Sequence, residues 1–242
     1  MFKNTPIAAV IAASASFALF AVGCATPADK AAKDAKSSQA QATKPDYTKM
    51  NPVELAEYMV FQSGSYDLAQ PTQEGTTGRD RLVQDEIQKI CTEVARSGKP
   101  IDNKTAEKVV ALAKATIKYP EGGIKLGDWK KGRDIAWSGF GFRTAHRVDD
   151  HSRRAPGGAC YNCHQLATDR TGGNLGPSLT GYGKIRGTSP EMLKYTYEVI
   201  YNPHSYFACT NMPRMGAKGV LTQQQILDVM AYLFDPASPV NK

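Results

Sequence analysis

Apolar residues recur every three or four positions along several segments of this chain, which is the spacing of one buried face of an α-helix. In the segment 79–98, Leu82, Ile87 and Val94 follow this spacing and Gly98 ends it. Four more helices are predicted from the same spacing or from capping residues, over 105–118, 128–137, 191–201 and 223–234. No segment alternates apolar and polar residues as a strand would, so the pattern predicts an all-α protein.

Glycine, proline and small polar residues separate these helices. Asn51 followed by Pro52 predicts the start of another short helix, because Asn favours the N-cap and Pro the first helical position. Residues 138–159 are rich in Gly and Arg and predict a long loop. Residues 24–49 contain almost no large apolar side chain, so they cannot bury enough surface to order themselves and are predicted to be a flexible tether.

The chain begins with a segment typical of export. Lys3 precedes an apolar run at 7–22, which as a helix would span only about 24 Å and is short for a membrane crossing. Residues 1–23 are therefore predicted to be a signal peptide. The preceding letters AVG make Cys24 resemble the acylated cysteine of a bacterial lipoprotein; cleavage after Ala25 and an anchor that stays attached are the alternatives. Export predicts a periplasmic protein, joined to a membrane only through such a lipid.

Composition excludes several classes of protein. Of 242 residues, 41% are hydrophobic and 22% are charged, which is usual for a globular protein and argues against disorder, collagen or a multi-span membrane protein. The formal net charge is +7, but the basic residues are scattered along the chain and form no dense run. A nucleic-acid partner is therefore not predicted.

Cys160, Cys163 and His164 form the pattern C-x-x-C-H, which is the attachment site of covalent haem c. Two thiols at this spacing reach the two vinyl groups of one porphyrin, and the adjacent imidazole reaches the iron as an axial ligand. One pattern predicts one haem. A redox dithiol is an alternative, although no βαβ pattern surrounds the motif, and so is half a zinc site completed by His204 or Cys209.

A second axial ligand is expected downstream of the motif. Met212 precedes a proline in an irregular segment, and a thioether ligand raises the potential of haem iron and suits electron transfer. Met215 and His204 are the rival candidates. Pro177 lies between the two ligands in sequence, and its carbonyl is predicted to accept a hydrogen bond from the free ring nitrogen of His164 and so to orient the ring.

Two cysteines remain after the haem pair and Cys24. Cys91 and Cys209 would lie in an oxidising compartment, so we predict a disulfide between them. The alternative is a buried thiol at Cys91, which belongs to the apolar face of its predicted helix.

Four segments together resemble the SoxX family, the small monohaem cytochrome c subunits of SoxAX complexes in bacterial thiosulfate oxidation. The segments are GGACYNCHQLA, NLGPSLTGYGKIRG, YNPHSYFACTNMPRMG and LTQQQILDVMAYLFDPASPVN. The resemblance covers residues 120–242 and implies a class I cytochrome c-like haem domain there, with 50–119 as an additional helical N-terminal region. In such domains two terminal helices cross, with Gly132 and Tyr232 as candidate partners. Family members have Phe-Gly where this chain has Met215-Gly216.

The resemblance also implies a function. A SoxX-like chain pairs with a SoxA-like subunit, dihaem or monohaem, in an L-cysteine S-thiosulfotransferase-type oxidoreductase that couples thiosulfate to a cysteine of the SoxYZ carrier. It would pass the electrons to a downstream cytochrome c. No residue of this chain resembles a base or nucleophile acting on thiosulfate, so bond formation belongs to the partner. A stand-alone electron-carrier cytochrome c and a non-haem metal-binding lipoprotein are the alternatives.

The excess of basic side chains lies in the predicted haem domain, and five of them are candidates for steering an acidic electron partner toward the haem edge. They are Arg153, Arg154, Lys184, Arg186 and Arg214. Solvated cations without such a role are the alternative.

Overall fold

The computed structural model describes residues 45–72, 75–141, 152 and 154–242. The predicted signal peptide, Cys24 and most of the predicted tether lie outside these residues, as does Arg153. The described part before Asn51 contains a 3₁₀ turn, Tyr47–Lys49, whose N-terminus the side chain of Asp46 caps. From Asn51 to Lys242 the chain forms a separate compact unit.

The secondary structure is helical, which confirms the all-α prediction. The described residues form eight α-helices and no strand, apart from an isolated bridge between Pro71 and Thr77. The helices are α1 (Pro52–Glu57), α2 (Gly78–Leu82), α3 (Glu86–Ser97), α4 (Asn103–Ala115), α5 (Trp129–Ala136), α6 (Tyr182–Arg186), α7 (Pro190–Tyr201) and α8 (Gln223–Phe234). Shorter helical turns lie between these helices or after the last one, at Tyr58–Gln62, Cys160–Asn162, Pro203–Ser205 and Pro239–Asn241.

The single helix predicted over 79–98 is instead two helices, α2 and α3. Val83 adopts an extended conformation and ends α2, and Asp85 begins α3. The side chain of Asp85 accepts a hydrogen bond from the Gln88 N–H, and the Gln88 side-chain oxygen accepts one from the Asp85 N–H. This capping box gives side-chain partners to backbone N–H groups that would bond to carbonyls of the preceding turn in a continuous helix. The apolar spacing over 79–98 therefore continues across a break between two helices.

Helices α5 and α8 cross at Gly132. A β-carbon at that position would lie 1.9 Å from the carbonyl oxygen of Asp228, so only glycine allows this approach. The three atoms nearest to that β-carbon belong to the backbone of Asp228 and Val229. Tyr232 lies one turn later, where its hydroxyl accepts a hydrogen bond of 2.9 Å from the indole of Trp137.

The main core forms around α8, in which every residue from Ile226 to Phe234 is buried. Tyr197 and Ile200 of α7 pack on one part of this core, and Leu166 lies just after the C-x-x-C-H motif. Burial of α8 on all sides explains why its sequence is more apolar than that of an amphipathic surface helix.

Helices α3 and α4 form a smaller core with the chain beyond α7. Ile87, Val109 and Ala113 are its buried members, and Ala208 and Cys209 pack against them. Contacts therefore link the N-terminal helical region 50–119 to the region after α7 within one compact unit.

Candidate functional site

The C-x-x-C-H motif begins on a single 3₁₀ turn. Ala159 precedes it in the left-handed conformation, with φ of 47°, and reverses the chain into Cys160. The N–H groups of Cys163 and His164 both donate to the carbonyl of Cys160, at 3.2 and 2.9 Å. Neither Cys160 nor Cys163 belongs to a disulfide. This tight turn holds both thiols and the imidazole within five consecutive residues.

Burial raises the pKa of the Cys160 thiol to about 11. Redox dithiols of the C-x-x-C type instead lower a thiol pKa to stabilise the attacking thiolate. The surroundings of Cys160 therefore oppose the dithiol alternative. Tyr161, inside the motif, stacks on Trp137 with ring centroids 5.3 Å apart, which ties the motif to the end of α5.

Pro177 contacts His164 as predicted. Its carbonyl oxygen lies 2.7 Å from Nδ1 of the imidazole, and that nitrogen donates the hydrogen bond because a carbonyl can only accept. In the neutral ring, Nε2 then carries the lone pair that ligates a metal. Gly176 packs against the ring: a β-carbon there would lie 2.3 Å from Cε1. The segment 174–177 thus fixes both the tautomer and the orientation of the ring.

The chain from Cys209 to Lys218, here called the methionine segment, carries both candidate sulfur ligands. Met212 and Met215 are half-buried and pack on the same core as Cys160. The methyl group of Met215 lies 3.9 Å from the point where a β-carbon of Gly158 would stand, and the sulfur of Cys160 lies 3.0 Å from that point. Both methionines are therefore candidates for the iron, and Met215 shares the surroundings of Gly158 with Cys160.

His204 is buried and already bonded to the backbone. Its Nδ1 accepts a hydrogen bond of 3.0 Å from the Cys209 N–H. Burial lowers the pKa of His204 and the nearby Arg214 guanidinium lowers it further, while Asp85 raises it. The uncharged ring therefore serves as a backbone acceptor at the start of the methionine segment.

A disulfide joins Cys91 of α3 to Cys209, with the two Cα atoms 5.2 Å apart, and this is the pairing that the sequence predicts. Cys209 has a positive φ of 57°, so the bridge sits at a sharp turn of the methionine segment. Because its sulfur is in the bridge, Cys209 cannot complete a zinc site with the motif cysteines. Over the described part of the chain, no three His, Cys, Asp or Glu side chains converge as a metal site requires.

Asp85 binds the other end of the methionine segment. Its Oδ2 lies 2.7 Å from Nη1 of Arg214 and 2.6 Å from Nζ of Lys218. Burial alone would raise the pKa of Asp85, but Lys218, the Gln88 N–H and Arg214 together lower it to about 2. No sequence pattern marked Asp85 as a site residue. The spacing of Asp85 and Gln88 predicts a helix cap, but no local pattern indicates that Asp85 pairs with a cation 129 residues away.

Arg214 does not belong to an exposed basic surface. Its exposed fraction is 9%, and its guanidinium is paired with Asp85, so the expectation that it steers a partner is wrong. Arg154, Lys184 and Arg186 are exposed. Leu175, directly before Gly176, is 85% exposed.

These residues fit a covalently attached haem c. Cys160 and Cys163 are free to form thioethers, and His164 has its second nitrogen fixed by Pro177, as second-shell hydrogen bonds do for metal ligands. Because residue 176 is a glycine, no side chain at that position covers the imidazole ring of His164, and Leu175 offers apolar surface beside it.

The chain is 42% identical over 165 residues to an uncharacterized lipoprotein of Aquifex aeolicus (strain VF5), with 66% of this chain and 74% of that protein aligned. No family model matches the chain. Within the described residues, no helix is both long enough and apolar enough to cross a membrane.

Proposed function

The chain belongs to the family of that Aquifex aeolicus lipoprotein, and from its site we propose that it is an exported, lipid-anchored c-type cytochrome carrying one haem. The observation that carries the proposal is the C-x-x-C-H turn, in which both thiols are unpaired and Nδ1 of His164 donates to Pro177. The lipid on Cys24 is supported by the name of the relative and by the lipobox-like sequence.

Each residue has a distinct task. Cys160 and Cys163 would hold the porphyrin through thioethers, and His164 would ligate the iron through Nε2. The Pro177 carbonyl keeps the ring oriented and increases the basicity of that nitrogen. Met212 would supply a thioether as the second protein ligand. When bound, haem c supplies an iron centre that takes up and releases one electron at a time.

We further propose the SoxX role, which is supported by the four segments that resemble that family. Coupling thiosulfate sulfur to a cysteine thiol of a SoxYZ-type carrier breaks the S–H bond, forms one S–S bond and releases one proton and two electrons. A SoxA-like subunit would perform this step, and the present chain would accept the electrons singly and pass them to a downstream cytochrome c. On this proposal the protein is the electron-accepting subunit of an oxidoreductase complex.

Haem content is tested on protein made in a host that matures c-type cytochromes. We expect one haem per chain by pyridine haemochrome and mass, resistant to acid–acetone extraction. The matched control is Cys160→Ser with Cys163→Ser, which should remove the covalent haem. A colourless wild-type chain from such a host would contradict the proposal.

The SoxX role is tested by purification from the native host. A second c-type cytochrome should co-purify and stain for haem, and the pair should reduce its haems when given thiosulfate and a thiol carrier. Purification of the chain alone, with reduction by other periplasmic donors, would instead indicate the stand-alone electron carrier.

A further inference from the structure

We propose that Asp85, together with the Cys91–Cys209 disulfide, positions Met212 by fixing the methionine segment to helix α3 at two points. The inference rests on the proposed function, since it concerns a ligand of the proposed haem. The Asp85 side chain binds Arg214 and Lys218 of the methionine segment, so it acts on Met212 through that segment and is a positioning residue.

The two points of attachment lie on opposite sides of Met212. Three residues before it, Cys209 is bonded to Cys91 in α3. Two residues after it, Arg214 is paired with Asp85, the N-cap of the same helix. The intervening chain is irregular, and the Met212 N–H donates only to the hydroxyl of Thr210 at 3.3 Å. Met212 also packs on the main core, so its position depends on that packing and on how firmly its two flanks are held.

Burial of the Arg214 guanidinium makes the second attachment strong. A buried cation is stable only when paired, and Asp85 is the acidic partner that the structure gives it. Lys218 adds a second cation on the same carboxylate oxygen. Without the carboxylate, Arg214 would move toward water and take the segment with it.

The structure contains a matched control for Asp85. Asp102 is the N-cap of α4, and its Oδ1 accepts from Thr105 as that of Asp85 accepts from Gln88. No ion pair links Asp102 to the described cations. Because Asn is as good an N-cap as Asp, Asp85→Asn and Asp102→Asn both retain the cap, and only the first removes a charge from Arg214.

The first measurement does not depend on haem. Amide hydrogen exchange should become faster in the methionine segment of Asp85→Asn, including the Gly216 N–H that donates to Tyr201, and should stay at the wild-type rate in Asp102→Asn. Unchanged exchange in Asp85→Asn would overturn the proposal.

The second measurement is imidazole binding to the ferric protein, which requires the methionine to leave the iron. If Asp85→Asn populates the released state tenfold more, the apparent affinity for imidazole should become about tenfold tighter. Asp102→Asn should bind as wild type does. Asp85→Asn protein with faster exchange but wild-type imidazole affinity would overturn the link to Met212, whereas a wild-type chain without haem would contradict only the proposed function.

Two further variants keep the test decisive. Should Asp85→Asn not accumulate, Cys91→Ser with Cys209→Ser removes the other attachment, and the same tightening of imidazole binding is expected. In a Met212→Ala background, Asp85→Asn should no longer change imidazole affinity, because no thioether at that position remains to be displaced. A persistent effect there would show that Asp85 acts by another route.

Discussion

The imidazole Nδ1 of His164 lies 2.7 Å from the carbonyl oxygen of Pro177, and Gly176 between them touches the ring. His164 and Pro177 are thirteen positions apart in the sequence. Where the chain reverses to bring them together, the Gly176 N–H donates a hydrogen bond of 2.8 Å to the Cys163 carbonyl. One short segment thus controls the orientation of the candidate iron ligand.

Gly176→Ala should disturb this orientation. The added methyl group would lie 2.3 Å from Cε1 of His164, so either the ring or the segment must move. We expect a loss of unfolding free energy of about 1–3 kcal/mol and a shifted Soret band in the haem-loaded protein. Gly139→Ala is the control, since its methyl group would meet only the Tyr161 hydroxyl at 3.4 Å. Equal behaviour of the two variants would show that His164 does not need this contact.

The axial methionine is identified by comparing two substitutions. Met212→Ala should abolish the weak near-infrared band of sulfur–iron(III) ligation and lower the reduction potential, because a thioether ligand favours the reduced iron. Met215→Ala should retain the band. The opposite result would assign the ligand to Met215, whose methyl group lies beside Gly158 near Cys160.

The cysteine inventory should show the Cys91–Cys209 bridge in solution. Thiol counting on denatured, non-reduced, haem-loaded protein is expected to give no free thiol. Because the bridge closes a loop of 118 residues, its removal in Cys91→Ser with Cys209→Ser should cost about 4–5 kcal/mol by the chain-entropy model. Two free thiols per mature chain would exclude the bridge.

Asp85 should make the free energy of unfolding depend on pH in the acidic range. Its pKa is about 2 in the folded protein against 3.8 as the ordinary value, so the unfolded chain binds the proton more readily. The stabilisation by ionised Asp85 is therefore complete above about pH 4 and is lost as pH falls toward 2. Asp85→Asn should cost about 1–3 kcal/mol at pH 5 and little at pH 2. Denaturant unfolding at both pH values checks this, and a constant difference would exclude the ionised pair as its cause.

Lipidation is tested at Cys24. Mass spectrometry of the mature chain should find Cys24 as an acylated N-terminus, and Cys24→Ser should move the protein from the membrane fraction to the soluble periplasmic fraction. The haem spectrum should not change, since the proposed haem ligands lie far along the chain. A mature chain that starts after Ala25 would show ordinary signal-peptide cleavage.

Local patterns were sufficient for much of the protein. The spacing of apolar residues predicts a helix over 223–234, and the structure begins α8 at Gln223. The C-x-x-C-H motif at Cys160 and the partner role of Pro177 are also predicted by the sequence. The residues proposed for haem attachment and for ring orientation lie close together along the chain. Such features depend on neighbours within a few turns of chain, so sequence alone determined them.

Long-range packing decided the rest. The break between α2 and α3, the backbone contact of Gly132 with Asp228, and the burial of Arg214 against Asp85 have no signature in the local pattern. An arginine in a polar segment is expected to be exposed to solvent. The burial of Arg214 is stable because the carboxylate of Asp85, 129 positions away in the sequence, pairs with it. Sequence determined which residues could bind haem, and the tertiary structure decided which of them are held in place and by what.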